Sequence, residues 1–151
     1  MFITLFGPDS YRRSSRLRHI VEEFKKKHPN GALERFDLEE KDSLDRLRNF
    51  IQEQSLFAKA KLGIVEHAGE TDGAAKVLKS ASNNSSTTII AVSEKKLPKE
   101  FAFLGKEPNR AEEFDELAPA TAFAFIKKEI DARGLTVTDT DIKNAVAAYN
   151  G

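Results

Sequence analysis

The sequence predicts an α/β fold built on a mainly parallel sheet. Short apolar runs alternate with segments of helical periodicity, and their close spacing suits right-handed strand–helix–strand crossovers. The run at 87–92 is apolar throughout its second half, as is typical of a parallel strand that is buried on both faces. At 151 residues, the chain has room for one domain, or for one domain and a fragment of the next.

The first part of the chain predicts two strand–helix pairs. Residues 2–6 form a mostly apolar strand that ends at the breakers Gly7 and Pro8. The helix that follows has apolar residues at i, i+3, i+4 and i+7, namely Leu17, Ile20, Val21 and Phe24. After three lysines and a Pro-Asn-Gly stop, residues 32–37 alternate as a second strand, and an amphipathic helix follows over 42–54.

The middle of the chain predicts three more strands. A short buried strand spans 62–66, a weaker helix spans 71–82, and a polar turn then leads to the strand at 87–92. Residues 95–109 contain two prolines and a glycine, which predict a loop with at most a short helix. A fifth strand is predicted at 110–114.

The last part of the chain is predicted to be helical. Pro119 suits the first turn of a helix that Gly134 ends, and Thr138 caps a final helix. Because the composition shifts after Gly134, we predict a first domain at 1–134. Residues 135–151 then open a second domain that this chain does not complete, or they pack back on the first domain as a single helix.

Composition and charge exclude several classes of function. Lysine plus arginine and aspartate plus glutamate both number 24, so no overall positive field attracts nucleic acid. The chain contains no cysteine, which excludes disulfides, a thiolate nucleophile and a cysteine-based zinc site. No apolar run approaches the about 20 residues that span a bilayer, and no signal peptide opens the chain. We therefore expect a cytoplasmic protein.

The turn after the first strand resembles a P-loop in position and length. A P-loop has Gly, four residues, then Gly-Lys-Ser/Thr, between a strand and a helix. Here Gly7 and Ser14 match, but Arg12 replaces the second glycine and Arg13 replaces the lysine. A bulky residue at the second glycine hinders the backbone nest that cradles phosphates. Glu66 alone follows the apolar strand where hydrolysing enzymes hold Mg²⁺, so ATP hydrolysis is not expected.

The histidines do not predict a metal site. His19, His28 and His67 belong to three different elements and form no HxH or HxxxH pair. The acidic run at 37–42 is interpreted as a solvated loop before a helix. No Gly-x-Ser-x-Gly elbow is present, and no catalytic triad can be recognised from spacing.

Leu56 and Phe57 are two large apolar neighbours between a predicted helix and the next strand. Residues just before a parallel strand lie at one rim of the sheet, opposite the rim where small ligands usually bind. Two neighbours at such a corner cannot both point into one core. The residues alone leave two interpretations open: packing in the core, or a hot spot for a partner, where each side chain would contribute about 1.5–3 kcal/mol.

Four features in order resemble the N-terminal part of the delta subunit of the bacterial DNA polymerase III clamp loader. The first strand ends in Gly-Pro-Asp-Ser-Tyr at 7–11, in place of a working P-loop. Ser-Leu-Phe-Ala at 55–58 precedes the third strand. Val-Ser-Glu-Lys-Lys-Leu-Pro-Lys at 92–99 follows the fourth strand, and Phe-Asp-Glu-Leu at 114–117 precedes a helix that ends in Gly-Leu-Thr-Val at 134–137. The resemblance covers nearly all of this chain and less than half of a family member.

This resemblance implies a three-layer AAA+-like domain of the RecA type, the P-loop NTPase fold. The sheet has five strands, the P-loop is degenerate, and the start of a helical lid domain follows. It also implies that the chain binds the ring-shaped sliding clamp, the beta subunit, and opens the ring without hydrolysing ATP and without a cofactor. Leu56 and Phe57 would enter a pocket of the clamp, with Ser55 beside them and Gln52 and Gln54 at the rim.

The implied partners are the sliding clamp and the other clamp-loader subunits, with DNA contacted only as part of the complex and no membrane. No catalysis is expected from the chain itself, although it would belong to the DNA polymerase III holoenzyme, a nucleotidyltransferase. The missing collar domain leaves assembly of the clamp-loader pentamer unsupported, and the absence of cysteine argues against the members that carry a Ser-Arg-Cys motif. The rival interpretation is a divergent P-loop domain that binds nucleotide or phosphate through Arg13 and Glu66.

Overall fold

The structure, a computed structural model, describes residues 1–53 and 60–149. The chain divides into two compact units, Met1–Phe114 and Asp115–Gly151. Four of the residues predicted to bind the clamp lie outside the described residues: Gln54, Ser55, Leu56 and Phe57.

The first unit contains a sheet of five strands that all run parallel. The strands are β1 (Phe2–Phe6), β2 (Ala32–Asp37), β3 (Lys61–Glu66), β4 (Thr87–Ser93) and β5 (Arg110–Glu113). Their order across the sheet is β2-β3-β4-β1-β5, so β1 and β4 pair although they are far apart in sequence. The predicted α/β class and the parallel five-stranded sheet are confirmed.

The helices lie close to their predicted positions. They are α1 (Ser10–Lys27), α2 (Ser43–Gln52), α3 (Ala74–Ser80), α4 (Pro119–Ala132) and α5 (Asp139–Tyr149). α2 ends short of the predicted 54 because Glu53 is already extended, with ψ at 120°. α3 is shorter than predicted because 3-10 turns flank it at Ala68–Glu70 and Ala81–Asn83. A further 3-10 helix, Lys99–Gly105, lies in the predicted loop.

One face of the sheet is covered by α1. Side chains alternate between the two faces of a strand, so Leu62 and Ile64 of β3 point to the same side. They pack with Leu17 of α1 in a buried cluster whose other members are Ile3, Leu5, Ile90 and Phe114. The apolar face that the helical period predicts for α1, which includes Leu17, is therefore the face that contacts the sheet.

The opposite face of the sheet is covered by α2, α3 and the 3-10 helix Lys99–Gly105. The buried side chains there include Phe2, Phe36, Leu47, Phe50, Leu78, Ile89 and Phe101. The rings of Phe36 and Phe50 meet edge to face, with their centroids 5.3 Å apart. The first unit thus has the predicted three layers, with helices on both sides of the sheet.

The second unit contains α4 and α5. Phe123, Ile126 and Ile130 of α4 pack against Ile142 and Val146 of α5. As predicted, Pro119 lies in the first turn of α4, and the hydroxyl of Thr138 accepts a hydrogen bond from the amide of Asp141 at the start of α5. Within the described residues, none of the helices is both long and apolar enough to cross a bilayer.

The division into compact units falls at a different point from the predicted domain boundary, which stays a prediction. We predicted the first domain to end at Gly134, whereas the chain divides after Phe114 and α4 groups with α5. The physical reason is the apolar face of α4, which is buried against α5. Gly134 does end α4 as predicted, with a φ of 67° that glycine adopts without strain.

Candidate functional site

A crevice of about 370 Å³ lies at the carboxyl ends of β1, β3 and β4. This is where open α/β sheets usually bind their ligands. The crevice is lined by Arg13, Glu66, His67, Glu70, Val92, Ser93, Glu94 and Lys95. The fold therefore brings together two residues that the sequence suggested as a nucleotide site, Arg13 and Glu66. Four other lining residues could not be selected from the sequence, because their proximity depends on strand order: Glu70, Ser93, Glu94 and Lys95.

The turn from β1 to α1 is tightly held by its neighbours in the sheet. Gly7 has a φ of 125°, and a Cβ atom added there would lie 2.4 Å from the carbonyl oxygen of Phe114. The Gly7 amide donates to the carbonyl of Ser93 over 3.2 Å, and the Asp9 amide donates to the carbonyl of Phe114 over 3.0 Å. The turn therefore requires glycine at position 7.

The backbone of this turn does not form a phosphate nest. α1 begins at Ser10, so the residues that replace the end of the P-loop motif, Arg12, Arg13 and Ser14, are already helical. The amide of Arg12 donates to the Asp9 carboxylate over 2.9 Å, and the amide of Arg13 donates to the Asp9 carbonyl over 3.1 Å. Because Asp9 caps the helix N-terminus, it occupies the position where an anion would bind.

The two arginines of the motif are also engaged. Arg13 is only 8% exposed, and its guanidinium donates to the carbonyl of Gly7. Arg12 pairs with the Asp9 carboxylate at 3.3 Å and lies over the ring of Phe114, 5.7 Å from its centroid. Ser14 is exposed on the first turns of α1. The positive charges that would meet a phosphate in a working P-loop are therefore directed at the turn itself.

The charges around the crevice also disfavour a polyphosphate. Three carboxylates, those of Glu66, Glu70 and Glu94, face two permanent cations, Arg13 and Lys95. In the absence of Mg²⁺, these carboxylates repel the phosphates of a nucleotide. Mg²⁺ itself would be held poorly, because only a single acidic residue follows β3. The geometry thus argues against the rival interpretation of nucleotide or phosphate binding.

We predict that the chain shows no saturable binding of Mg-ATP at concentrations up to about 1 mM. The reason is that the turn amides and Arg13 already have partners within the protein. Isothermal titration of the wild-type chain checks this, with Arg13→Ala and the exposed Arg18→Ala as a matched pair on α1. Binding that Arg13→Ala removes and Arg18→Ala retains would instead establish a nucleotide site.

The described residues on either side of the predicted clamp-binding segment lie at the opposite edge of the sheet. Gln52, the last residue of α2, is exposed. The described chain ends at Glu53 and begins again at Ala60, whose carbonyl accepts a hydrogen bond from the amide of Ala32 over 3.0 Å. Since Ala32 begins β2, this point lies at the amino-end edge of the sheet.

Lys61 anchors this edge, and it was not among the residues selected from the sequence. Its side chain is buried, and the ammonium donates to the carbonyls of Phe50 and Glu53 at the end of α2. The ammonium also lies 4.8 Å from the centroid of the Phe50 ring. Burial lowers the pKa of Lys61. Lys61 begins β3, nine residues beyond the end of α2 at Gln52, so its distance along the chain hid this capping role.

We expect Lys61→Met to lower the free energy of unfolding by about 1–3 kcal/mol, because two carbonyls at the end of α2 lose their donor in a buried place. Urea denaturation of the purified chain measures this change. Lys76→Met, at an exposed position of α3, is the matched control and should leave the stability nearly unchanged. Equal effects of the two substitutions would contradict the capping role.

An aspartate and a histidine lie together at the carboxyl ends of β2 and β3, although the sequence predicted no contact between them. The Nδ1 atom of His67 lies 2.7 Å from a carboxylate oxygen of Asp37. This hydrogen bond raises the pKa of His67. The pKa of Asp37 is lowered, first by the hydrogen bond from the Glu39 amide and then by His67. Their positions in the sequence could have indicated this contact, because both residues stand where neighbouring parallel strands end.

Comparison with solved structures finds a similar fold in the Bacillus subtilis DNA clamp loader delta protein (YqeN), with a TM-score of 0.58 and 20% sequence identity. The match covers 96% of this chain and 47% of that chain, so this chain spans about half the length of its structural relative. No protein-family model matches the sequence, and no curated protein matches it. At this identity the likeness concerns the fold, and it confirms the resemblance to a clamp loader delta subunit at that level.

Proposed function

We propose that this chain acts as the clamp-binding part of a delta-type clamp-loader subunit. In this role it binds the sliding clamp and opens the ring so that the ring can be loaded onto DNA. The observation that carries the proposal is the similarity of the fold, over 96% of the chain, to a clamp loader delta protein.

The nucleotide-site geometry supports a role that does not depend on ATP hydrolysis. The amides of Arg12 and Arg13 bond to Asp9, and the Arg13 guanidinium bonds to Gly7. A domain whose turn amides and arginine are bonded within the protein in this way can still act by binding another protein. Its contribution to ring opening then comes from the free energy of association with the clamp.

The position of the predicted clamp-binding segment supports the proposal as well. Glu53 and Ala60 stand at the two ends of that segment, at the amino-end edge of the sheet, and Lys61 ties this edge to α2. A partner that binds there does not compete with the crevice at the opposite edge. Leu56 and Phe57 are the proposed contacts, with Ser55, Gln52 and Gln54 beside them.

The same proposal assigns the remaining partners. The chain acts together with other clamp-loader subunits, contacts DNA only within that complex, and serves the DNA polymerase III holoenzyme in the cytoplasm. No step of catalysis is assigned to its own residues.

The test is direct binding to a sliding clamp. The clamp from the same organism is immobilised, and the purified chain is passed over it in a surface-capture experiment. We expect saturable binding that Mg-ATP neither promotes nor inhibits. Absence of binding, or binding that requires ATP, would overturn the proposed function.

A further inference from the structure

Three potential metal-binding side chains converge at the carboxyl ends of β2 and β3. They are Asp37, Glu39 and His67, and one ligand atom from each lies within 4.8 Å of the other two. Asp37 is the last residue of β2, and His67 directly follows the last residue of β3. The set combines an imidazole nitrogen with two carboxylate oxygens and lies apart from the predicted clamp-binding edge.

The backbone holds these residues in place from two strands. Asp37 pairs in register with Glu66, and the amide of Leu38 donates to the carbonyl of Glu66 over 3.2 Å. His67 has a left-handed backbone, with a φ of 57°, and its carbonyl accepts a hydrogen bond from the hydroxyl of Thr71 over 3.0 Å. The carbonyl oxygen of Leu38 lies 3.3 Å from the same hydroxyl, so the two carbonyls share its single proton and Thr71 links the two loops.

The spacing of the ligand atoms suits a small divalent cation. Zinc binds imidazole nitrogen and carboxylate oxygen at about 2.0–2.2 Å, so tetrahedral ligands stand about 3.4 Å from one another. His67 and Asp37 are already closer than this, and a cation would enter by replacing the proton between them. Glu39 is exposed, so its side chain can rotate until its carboxylate reaches a cation held by the other two residues.

The local charge favours a cation over an anion. The carboxylates of Asp37, Glu39 and Glu70 all act electrostatically on the imidazole of His67. One imidazole with carboxylates is a donor set for zinc and neighbouring transition metals, whereas Mg²⁺ and Ca²⁺ prefer oxygen ligands alone. Three protein ligands leave a fourth position for water.

We propose that Asp37, Glu39 and His67 bind one divalent transition-metal ion of the zinc class and thereby clip together the ends of β2 and β3. The spacing of the histidines in the sequence predicts no metal site, because two of the three ligands are carboxylates from another strand end. The bound ion stabilises the first unit by mass action, since the unfolded chain does not hold the three ligands together.

The test is calorimetric titration of the whole chain with zinc chloride in a buffer without chelating components. We expect one equivalent of zinc to bind and to raise the thermal midpoint of unfolding. Glu39→Gln and His67→Asn should each weaken the affinity by more than about 10-fold, the lower end of the about 10–100-fold loss typical of an outer-shell substitution. Asparagine is chosen because it tolerates the left-handed backbone of His67.

His19→Asn is the matched control. His19 lies on α1, 3.7 Å from Glu23, and offers one imidazole and one carboxylate on an exposed helix. We expect this variant to bind zinc like the wild-type chain. If the wild-type chain binds no zinc, or if either Glu39→Gln or His67→Asn retains its affinity, the proposed site is overturned. The same holds if His19→Asn loses zinc binding.

Discussion

Alanine at both Leu56 and Phe57 is expected to abolish binding to the sliding clamp while the domain stays folded. Burial of a leucine and of a phenylalanine in a partner pocket each contributes about 1.5–3 kcal/mol. Loss of both removes about 3–6 kcal/mol, which corresponds to a weakening of more than about 100-fold. Surface capture on the immobilised clamp measures the affinity, and circular dichroism checks the fold.

An exposed apolar pair elsewhere in the chain provides the control for this experiment. Leu135 and Val137 are 57% and 42% exposed in the segment between α4 and α5. Replacing both with alanine likewise truncates two large apolar side chains, and clamp affinity should not change. Undiminished affinity of the Leu56/Phe57 variant would remove these residues from the clamp interface. Unfolding of that variant would support the other interpretation of the sequence, in which the pair packs in the core.

Valine at Gly7 is expected to lower the free energy of unfolding by about 2–6 kcal/mol. Part of this cost arises from the φ of 125°, which side chains other than glycine rarely adopt, and part from overpacking. The added Cβ would lie 2.4, 2.6 and 2.8 Å from backbone atoms of Phe114, and backbone cannot rotate away as a side chain can. Urea denaturation of the chain measures the effect.

Gly105 supplies the comparison for the Gly7 substitution. A Cβ atom added at Gly105 has nothing within 4 Å, so Gly105→Val should change the stability little. Equal stability of the Gly7→Val and wild-type chains would mean that the turn between β1 and α1 can shift away from Phe114. In that case the filled turn would no longer argue against nucleotide binding.

The candidate site was only partly predictable from the sequence. The replacement of the P-loop glycine by Arg12 was evident from the sequence, and it predicted a turn that does not wrap phosphates. That Asp9 caps α1 and that Arg13 bonds to Gly7 was not evident, because these contacts depend on where α1 begins. The clamp-binding assignment of Leu56 and Phe57 stays a prediction, since these residues lie outside the described part of the chain.

By itself, the sequence determined the α/β class, the five strands and the principal helices of this protein. These features follow from the local period of apolar residues and from caps and breakers such as Pro119 and Gly134, which act over a few positions. Only the tertiary structure decided that α4 joins α5 and that Asp37 meets His67. Such contacts join residues that are distant in the chain, and the order of the strands and the packing of apolar faces bring them together.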